Sequence, residues 1–595
     1  MRRTSLSKNN HRKNRSLSPG MATRPKKILN YGGIILLVGV LVAALGTFIY
    51  FLPGMVTAEW GDEPVLVIGN RKVGEGLVHP GDREIYINLQ TLKEEIDPHL
   101  YWDEEEETAI VTTEERVIHL HSEELESEIN LRPVELEFPL RQKDDELYYL
   151  PLLFLTDFYE IYVDYIEDTN TVVIDNVEDE AREGNLTEDA TSLRVGPSMR
   201  EPVLEVLQKG ETLRLEDEGE GEGEDGWILA RAESGKVGYL QEDYVRREGE
   251  YEFPDSALAG EEKEEEELEE EKAEKKLPEH PFVMVWEDYH SPPNIEQIGE
   301  MPSLEVVSPT WFHVNDKEGN IHNIAEPEYV DWAHERGYKV WGLVTNSFDP
   351  DLTAEVLTSS SLRRKVIDQL IVYANLYDLD GINLDFENFH VDYRDYYTQF
   401  VRELAPLCRE EGLVLSVDVS MITQNEYWSL AYDREALGEI VDYVMLMAYD
   451  EHWGASPVAG SVSSLPWVEE GLQEVLEKVP ADKLVLGVPF YARKWTIEEG
   501  DDGEEEVSSR AFSMGRIEDI IEERDFEIEW DEDARQNLAV YEDDDKTYKI
   551  WLEDADSMKQ RVELVNEYDL AGIAAWRRGF EKPEIWELIQ DNLEQ

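Results

Sequence analysis

From about residue 280 to the C-terminal end, short apolar runs alternate with amphipathic stretches, and few folds accommodate that order. Eight candidate strands stand out: Phe282–Trp286, Val306–His313, Lys339–Val344, Gly381–Phe386, Val414–Val419, Tyr443–Met447, Lys483–Pro489 and Gly572–Trp576. Runs of five to eight apolar residues separated by helical periodicity read as parallel strands joined by crossover helices. Eight such units over about 315 residues predict an α/β domain of the (β/α)8 barrel type. On periodicity alone a doubly wound open sheet remains the competitor.

The fourth strand carries the chemistry. It reads Leu379-Asp380-Gly381-Ile382-Asn383-Leu384-Asp385-Phe386-Glu387. Side chains alternate along a strand, so Asn383, Asp385 and Glu387 share one face at roughly 7 Å spacing, and Ile382, Leu384 and Phe386 take the other. Burying a polar group without a partner costs on the order of 2–7 kcal/mol. A polar row inside a barrel strand is therefore expensive as packing and reads as function. Glu387 falls at the C-terminal strand end, where barrel enzymes keep their reacting groups.

This segment resembles glycoside hydrolase family 18, the chitinase-like barrels, whose signature is D-G-x-D-x-D-x-E. Three further segments resemble the family in order: Met447-Ala448-Tyr449-Asp450 on the sixth strand, Gly487-Val488-Pro489-Phe490-Tyr491-Ala492-Arg493 on the seventh, and Gly572-Ile573-Ala574-Ala575-Trp576 on the eighth. The resemblance covers about residues 279–595. It implies substrate-assisted retaining cleavage of an N-acetylglucosamine polymer, an exception to the two-carboxylate scheme, that needs no cofactor or metal. Glu387 is then the general acid, Asp385 the partner of the substrate acetamido group, and Tyr449 the orienter of its carbonyl. Asn383, Met447, Asp450, Tyr491, Arg493 and Trp576 are the implied substrate-binding residues, although a strand-end Trp such as Trp576 is often plain core. Asn383 stands where the commonest pattern has Asp. It is expected to hydrogen-bond Asp385 and leave that carboxylate persistently ionised. Bacterial spore and cell-wall members are similar in this respect, which tilts the expected polymer from chitin toward peptidoglycan. A barrel that binds glycan without hydrolysis is the alternative.

Residues 62–177 contain an internal repeat. Glu84-Ile85-Tyr86-Ile87-Asn88-Leu89, Tyr101-Trp102-Asp103 and Thr108-Ala109-Ile110-Val111 are echoed by Glu146-Leu147-Tyr148-Tyr149-Leu150-Pro151-Leu152, Tyr162-Val163-Asp164 and Thr171-Val172-Val173-Ile174. Each unit reads as strand, short helix, strand, turn, strand, and resembles the small domain at the N-terminus of copper amine oxidases. No His cluster or acid pair recurs in both units, so a structural or wall-facing role is expected. Residues 187–247, with Leu193-Arg194-Val195-Gly196-Pro197-Ser198, Trp227 and Gly235-Lys236-Val237-Gly238-Tyr239-Leu240, resemble a bacterial SH3 domain. That resemblance implies a small β-barrel binding cell-wall peptide or glycan, with an inert spacer as the alternative. Glu216–Gly226 reads as an exposed loop and residues 255–278 as a charged linker. An insertion at about 495–555 begins with the acidic tract Glu498–Glu506, expected to be a loose loop before a small α+β element beside the groove.

The first thirty residues hold nine Lys or Arg and no acid, and an apolar run follows from Tyr31 to Met55. A spanning helix needs about 20 apolar residues, and the basic flank stays in the cytoplasm. The reading is a basic tail, 1–30, and an uncleaved anchor, 31–55, with the rest outside the cell; cleavage near Val56-Thr57-Ala58 would release it. The remaining chain has 46 Lys and Arg against 134 Asp and Glu, a net charge of −88. Such a surface repels phosphates and excludes nucleic acid as a partner; it fits a salty habitat. A single cysteine, Cys408, excludes an internal disulfide and a Cys-rich metal site.

Overall fold

The computed structural model describes residues 31–51, 56–81, 83–143, 147–216, 222–223, 226–253, 275, 277–499, 505–543 and 546–594. The basic tail and nearly all of the charged linker lie outside the described residues, as does most of the Glu216–Gly226 tract. The chain divides into two units. One comprises 1–73, 166–173 and 179–254; the other comprises 74–165, 174–178 and 255–595.

In the second unit, eight parallel strands close into a barrel: β1 (Phe282–Glu287), β2 (Leu304–Val314), β3 (Lys339–Thr345), β4 (Gly381–Asp385), β5 (Val414–Ser420), β6 (Tyr443–Met447), β7 (Leu484–Pro489) and β8 (Gly572–Trp576). Each pairs with its sequence neighbours, and β1 closes the ring by pairing with both β2 and β8. This excludes the open doubly wound sheet. The period-2 alternation partitions the side chains. Phe282, Met284, Trp286, Trp341, Leu343, Tyr443 and Met445 fill the interior, while Ile382, Leu384 and Phe386 join the layer between strands and helices.

The insertion between β7 and β8 is a five-stranded antiparallel sheet with one helix, Met514–Glu522. Both ends of the acidic tract are strand, and residues 500–504 between them lie outside the described residues. Glu498 and Glu499 pair with Glu506 and Glu505 as the two strands of a hairpin, because Ile497 and Val507 extend the ladder up to them. A cross-strand Lys546 also ion-pairs with Glu498.

The 74–165 segment belongs to the same unit and packs on the barrel's outer helices. Its repeat is real in element order: strand 85–88, helix 89–95, strands 101–103 and 108–112, then strand 147–151, helix 152–155, strands 161–166 and 171–176. Ile110 and Val117 enter the core shared with the barrel helices. Asp103 Oδ2 accepts from Ser360 N at 3.0 Å, capping the helix Ser360–Tyr377.

The other unit contains short antiparallel strands between residues 182 and 250 in one sheet, around a core of Leu186, Leu193, Leu207, Leu213, Leu215, Ile228 and Leu240. It also contains the helix Tyr31–Phe51, whose described side chains, 36–47, are all exposed. Among the described residues no helix is long and apolar enough to cross a membrane.

Candidate active site

Strand β4 is positioned by the two residues that open its motif. Asp380 Oδ2 accepts from Val340 N at 2.9 Å and bonds His334 Nε2 at 2.8 Å, tying the strand base to β3. At Gly381 a Cβ would stand 2.7 Å from Val414 O and from the Trp341 ring, so only glycine lets β4 approach β5 this closely. Two residues on, Asn383 is sealed in the barrel. Its Oδ1 accepts from Trp286 Nε1 (2.9 Å) and Ser308 Oγ (3.1 Å), and its Nδ2 donates to Ser416 Oγ (3.0 Å) and Asp418 Oδ1 (2.7 Å). These four bonds exhaust the hydrogen-bonding capacity of an amide.

Asp385 follows, buried, with Oδ1 lacking a hydrogen-bond partner among the described residues. Burial pushes its carboxyl up to about 7. Glu387 lies just past the strand, half-buried at the C-terminal mouth. Its backbone is clamped from β3's following loop: Asn346 Oδ1 accepts from Glu387 N at 3.0 Å, and Asn346 Nδ2 donates to Glu387 O at 2.6 Å. Burial, then the neighbouring charges of Asp385 and Asp450, raise the Glu387 carboxyl well above the usual range. A desolvated carboxyl beside another acid stays protonated at neutral pH, the condition a general acid requires.

Met447, the last residue of β6, and Tyr449 just past it are half-buried, and Asp450 is exposed. Burial, with the charges of Asp418, Asp385 and Glu387 adding, keeps the Tyr449 hydroxyl protonated and able to donate. Asp450 accepts from Tyr491 Oη at 2.7 Å and from Arg493 Nη2 at 3.3 Å. The first strand of the insertion thereby reaches the rim of the β6 loop. Trp576, half-buried at the end of β8, packs on Trp286 at 6.4 Å, and Tyr449 meets Trp286 edge-on at 6.5 Å. The aromatic floor is thus shared by strands 1, 6 and 8.

Comparison with known proteins bears on this arrangement directly. Residues 340–581 match the family model for glycosyl hydrolases family 18, a span that carries β3 from its second residue, β4 through β8, and every residue above except Trp286, Ser308 and His334. Over that span the barrel is similar to the glycosyl hydrolases of family 18. The chain is a glycoside hydrolase, and residues 77–174 match the copper amine oxidase N-terminal domain. Among relatives, the uncharacterized glycosylase YvbX of Bacillus subtilis is 26% identical over 46% of this chain and 81% of its own. The cortical fragment-lytic enzyme of Bacillus subtilis is 30% identical over 42% of this chain and 58% of its own. Of solved structures, the Bacillus megaterium spore cortex-lytic enzyme SleL aligns over 53% of this chain and 74% of its own, with 24% identity and a TM-score of 0.48.

Within the barrel two expectations change. Asn383 does not bond Asp385. Its donors are taken by Ser416 and Asp418, because β5 presents polar atoms directly opposite in register. Nor is Asp385 held firmly ionised, since burial without a hydrogen-bond donor to Oδ1 raises its carboxyl instead of lowering it. Sequence reading also missed Asp418 and Asn346. The inward alternation Ser416-Val417-Asp418-Val419-Ser420 could have revealed the first; no local pattern marks the second. Exposed rings on the loops after β3, β5 and β6, namely Phe348, Tyr427, Trp428 and Trp453, went unremarked too.

Proposed function

We propose that this chain cleaves the β-1,4 bond after N-acetylglucosamine in peptidoglycan, by substrate-assisted retention. The carrying observation is geometric: Glu387 lies half-buried just past the end of β4, Asp385 is buried two residues before it on the same strand face, and Tyr449 stands just past the end of β6 against the Trp286 ring. Burial and the charges of Asp385 and Asp450 raise the Glu387 carboxyl. Glu387 gives its proton to the glycosidic oxygen as the C–O bond breaks. The substrate's acetamido carbonyl oxygen attacks the anomeric carbon and forms an oxazolinium ion, while Asp385 accepts a hydrogen bond from the acetamido N–H and faces the cation. Tyr449 donates to the carbonyl oxygen. Glu387, now a carboxylate, takes a proton from the water that opens the ring. Exposed Tyr427, Trp428 and Trp453 offer flat apolar faces to a long sugar chain.

Asn383 at the motif's second position supports the choice of a wall glycan, and a relative named a cortical fragment-lytic enzyme is in keeping with it. In this reading the 182–250 sheet is an SH3-like module that grips the wall. In the same reading the apolar run of residues 31–55 in the sequence is the anchor of an extracellular enzyme.

Purified peptidoglycan and chitin, digested side by side and read by mass spectrometry, test the reading. Reducing-end N-acetylglucosamine from peptidoglycan is expected. Reducing-end muramic acid, or products from chitin alone, would refute it. Glu387→Gln is expected to lose about 10²–10⁴ in rate with the fold intact, and Asp385→Asn to be similarly impaired; a variant at Glu387 as fast as the parent removes its role. The same digestion run on washed membranes and on culture medium separates an anchored enzyme from a released one.

A further inference from the structure

The motif's second position cannot do what a carboxyl there could. Asn383 does not titrate, and its four hydrogen bonds leave nothing for Asp385. Yet Asp385 Oδ1 is buried and lacks a donor, and the proposed reaction needs Asp385 held in one orientation and ionised against a cation. An orphaned buried acceptor of this kind calls for a hydrogen-bonding partner.

A partner is present on the next strand. β4 and β5 are paired in parallel register through Leu384↔Val417, so Asp385 and Asp418 are the next residues on each strand, both directed into the barrel, about 4.8 Å apart in strand spacing. Asp418 is itself 1% exposed, and one of its oxygens is occupied by Asn383 Nδ2 at 2.7 Å. We infer that Asp418 is the carboxyl that shares a proton with Asp385, a positioning residue supplied across the sheet where the motif's own strand carries an amide. Protonated Asp418 donates to Asp385 Oδ1, which leaves Asp385 anionic and its second oxygen free for the acetamido N–H. When the substrate leaves, the proton moves to Asp385 and back, with no net change. The inference rests on the hydrolytic reading above.

The groups that face Asp418 are Asp385 and Glu387 from the β4 side, Tyr449 past β6 and Tyr397 from the helix Arg394–Glu410. Burial and the adjacent Asp385 charge raise Asp418 well above the ordinary carboxyl range, in keeping with the protonated partner.

Asp418→Asn keeps the shape and still accepts from Asn383, so thermal unfolding should match the parent. Its kcat is expected to fall on the order of 10²-fold with KM little changed, and the acid limb of its pH–rate profile to move to higher pH, because an amide is a weaker donor to the Asp385 carboxylate than a carboxyl. Restoring a carboxyl on β4, in N383D/D418N, is expected to recover most of the loss. A merely structural Asp418 would move neither the limb nor the rescue. Parental kcat and unchanged limbs in Asp418→Asn overturn the assignment, as does a folded double variant no faster than the single one. Should Asp418→Asn not fold, the double variant alone decides, by activity with a parental profile or its loss. Glu387→Gln in the same assay distinguishes the two levels. An active parent, an inactive Glu387→Gln and an unaffected Asp418→Asn remove Asp418 only, whereas an inactive parent removes both.

Discussion

At the scale of single residues, the site is a set of acids whose protonation states are set by burial more than by pairing. Asp385 is raised to about 7 and Glu387 well above its ordinary value. A raised carboxyl is protonated below its elevated value and charged above it. Glu387 thus serves as an acid until pH climbs through that value, and Asp385 serves as a counter-charge only once pH exceeds about 7. The kcat/KM profile is expected to be bell-shaped, with an acid limb near 7 instead of near 4. Steady-state rates across pH check this, and a rate that holds constant down to the ordinary carboxyl range would contradict it. Glu387 and Asp385 were legible because they alternate on one short strand. Asn346 was not, since its two bonds to the Glu387 backbone join residues 41 apart in the chain.

At the scale of elements, the barrel's helical layer is pinned by a buried ion pair. Arg363 on the helix Ser360–Tyr377 meets Glu403 on the helix Arg394–Glu410 at 2.8 Å, with side chains 0% and 1% exposed. Gln399 donates to the same carboxylate, and the guanidinium lies over the Tyr101 ring of the repeat module at 4.6 Å. Removing one partner strands the other charge in the interior, which costs about 3–5 kcal/mol. Glu403→Ala is therefore expected to lower the unfolding midpoint sharply, and a well-packed Arg363→Met/Glu403→Leu pair to regain most of it. Denaturant titrations of the three proteins decide; a single variant as stable as the parent sinks the argument. The repeat's element order and eight barrel strands could be read from period-2 runs and turn residues. An inward-facing acid on an amphipathic helix could not, because its partner is on another helix.

At the scale of the whole molecule, a net charge of −79 makes solvent conditions part of the stability. Screening shortens from about 30 Å at 0.01 M salt to about 3 Å at 1 M. Tm is accordingly expected to rise with salt, because self-repulsion across the acidic surface is relieved. Acidity acts in the same direction over a defined window. Glu84, Asp385 and Glu553 are each raised to about 7 by burial. A raised carboxyl contributes stability that is present below its unfolded value and lost as pH climbs through the folded one. Asp103 and Glu106, where hydrogen bonds from Ser359, Ser360 and Ser361 outweigh burial, sit below their ordinary values and keep their contribution until pH falls further. Lowering pH from about 8 to about 5 should thus raise Tm. Calorimetry on a salt and pH grid tests both; a Tm that does not rise with added salt would show that self-repulsion is not what limits stability.

What the chain's order of residues determined by itself was everything with a local period: eight strands, the crossover rhythm, the shared face of Asn383, Asp385 and Glu387, and the repeat in residues 85–176. Tertiary structure alone decided which atoms those faces meet. Closure of the ring set β5 beside β4, gave Asn383's donors to Asp418 and Ser416 instead of Asp385, and left Asp385 Oδ1 buried without a hydrogen-bond partner among the described residues. Alternation along a strand is fixed by backbone geometry within two residues, whereas the register between strands and the dielectric around a buried carboxyl are properties of the assembled sheet.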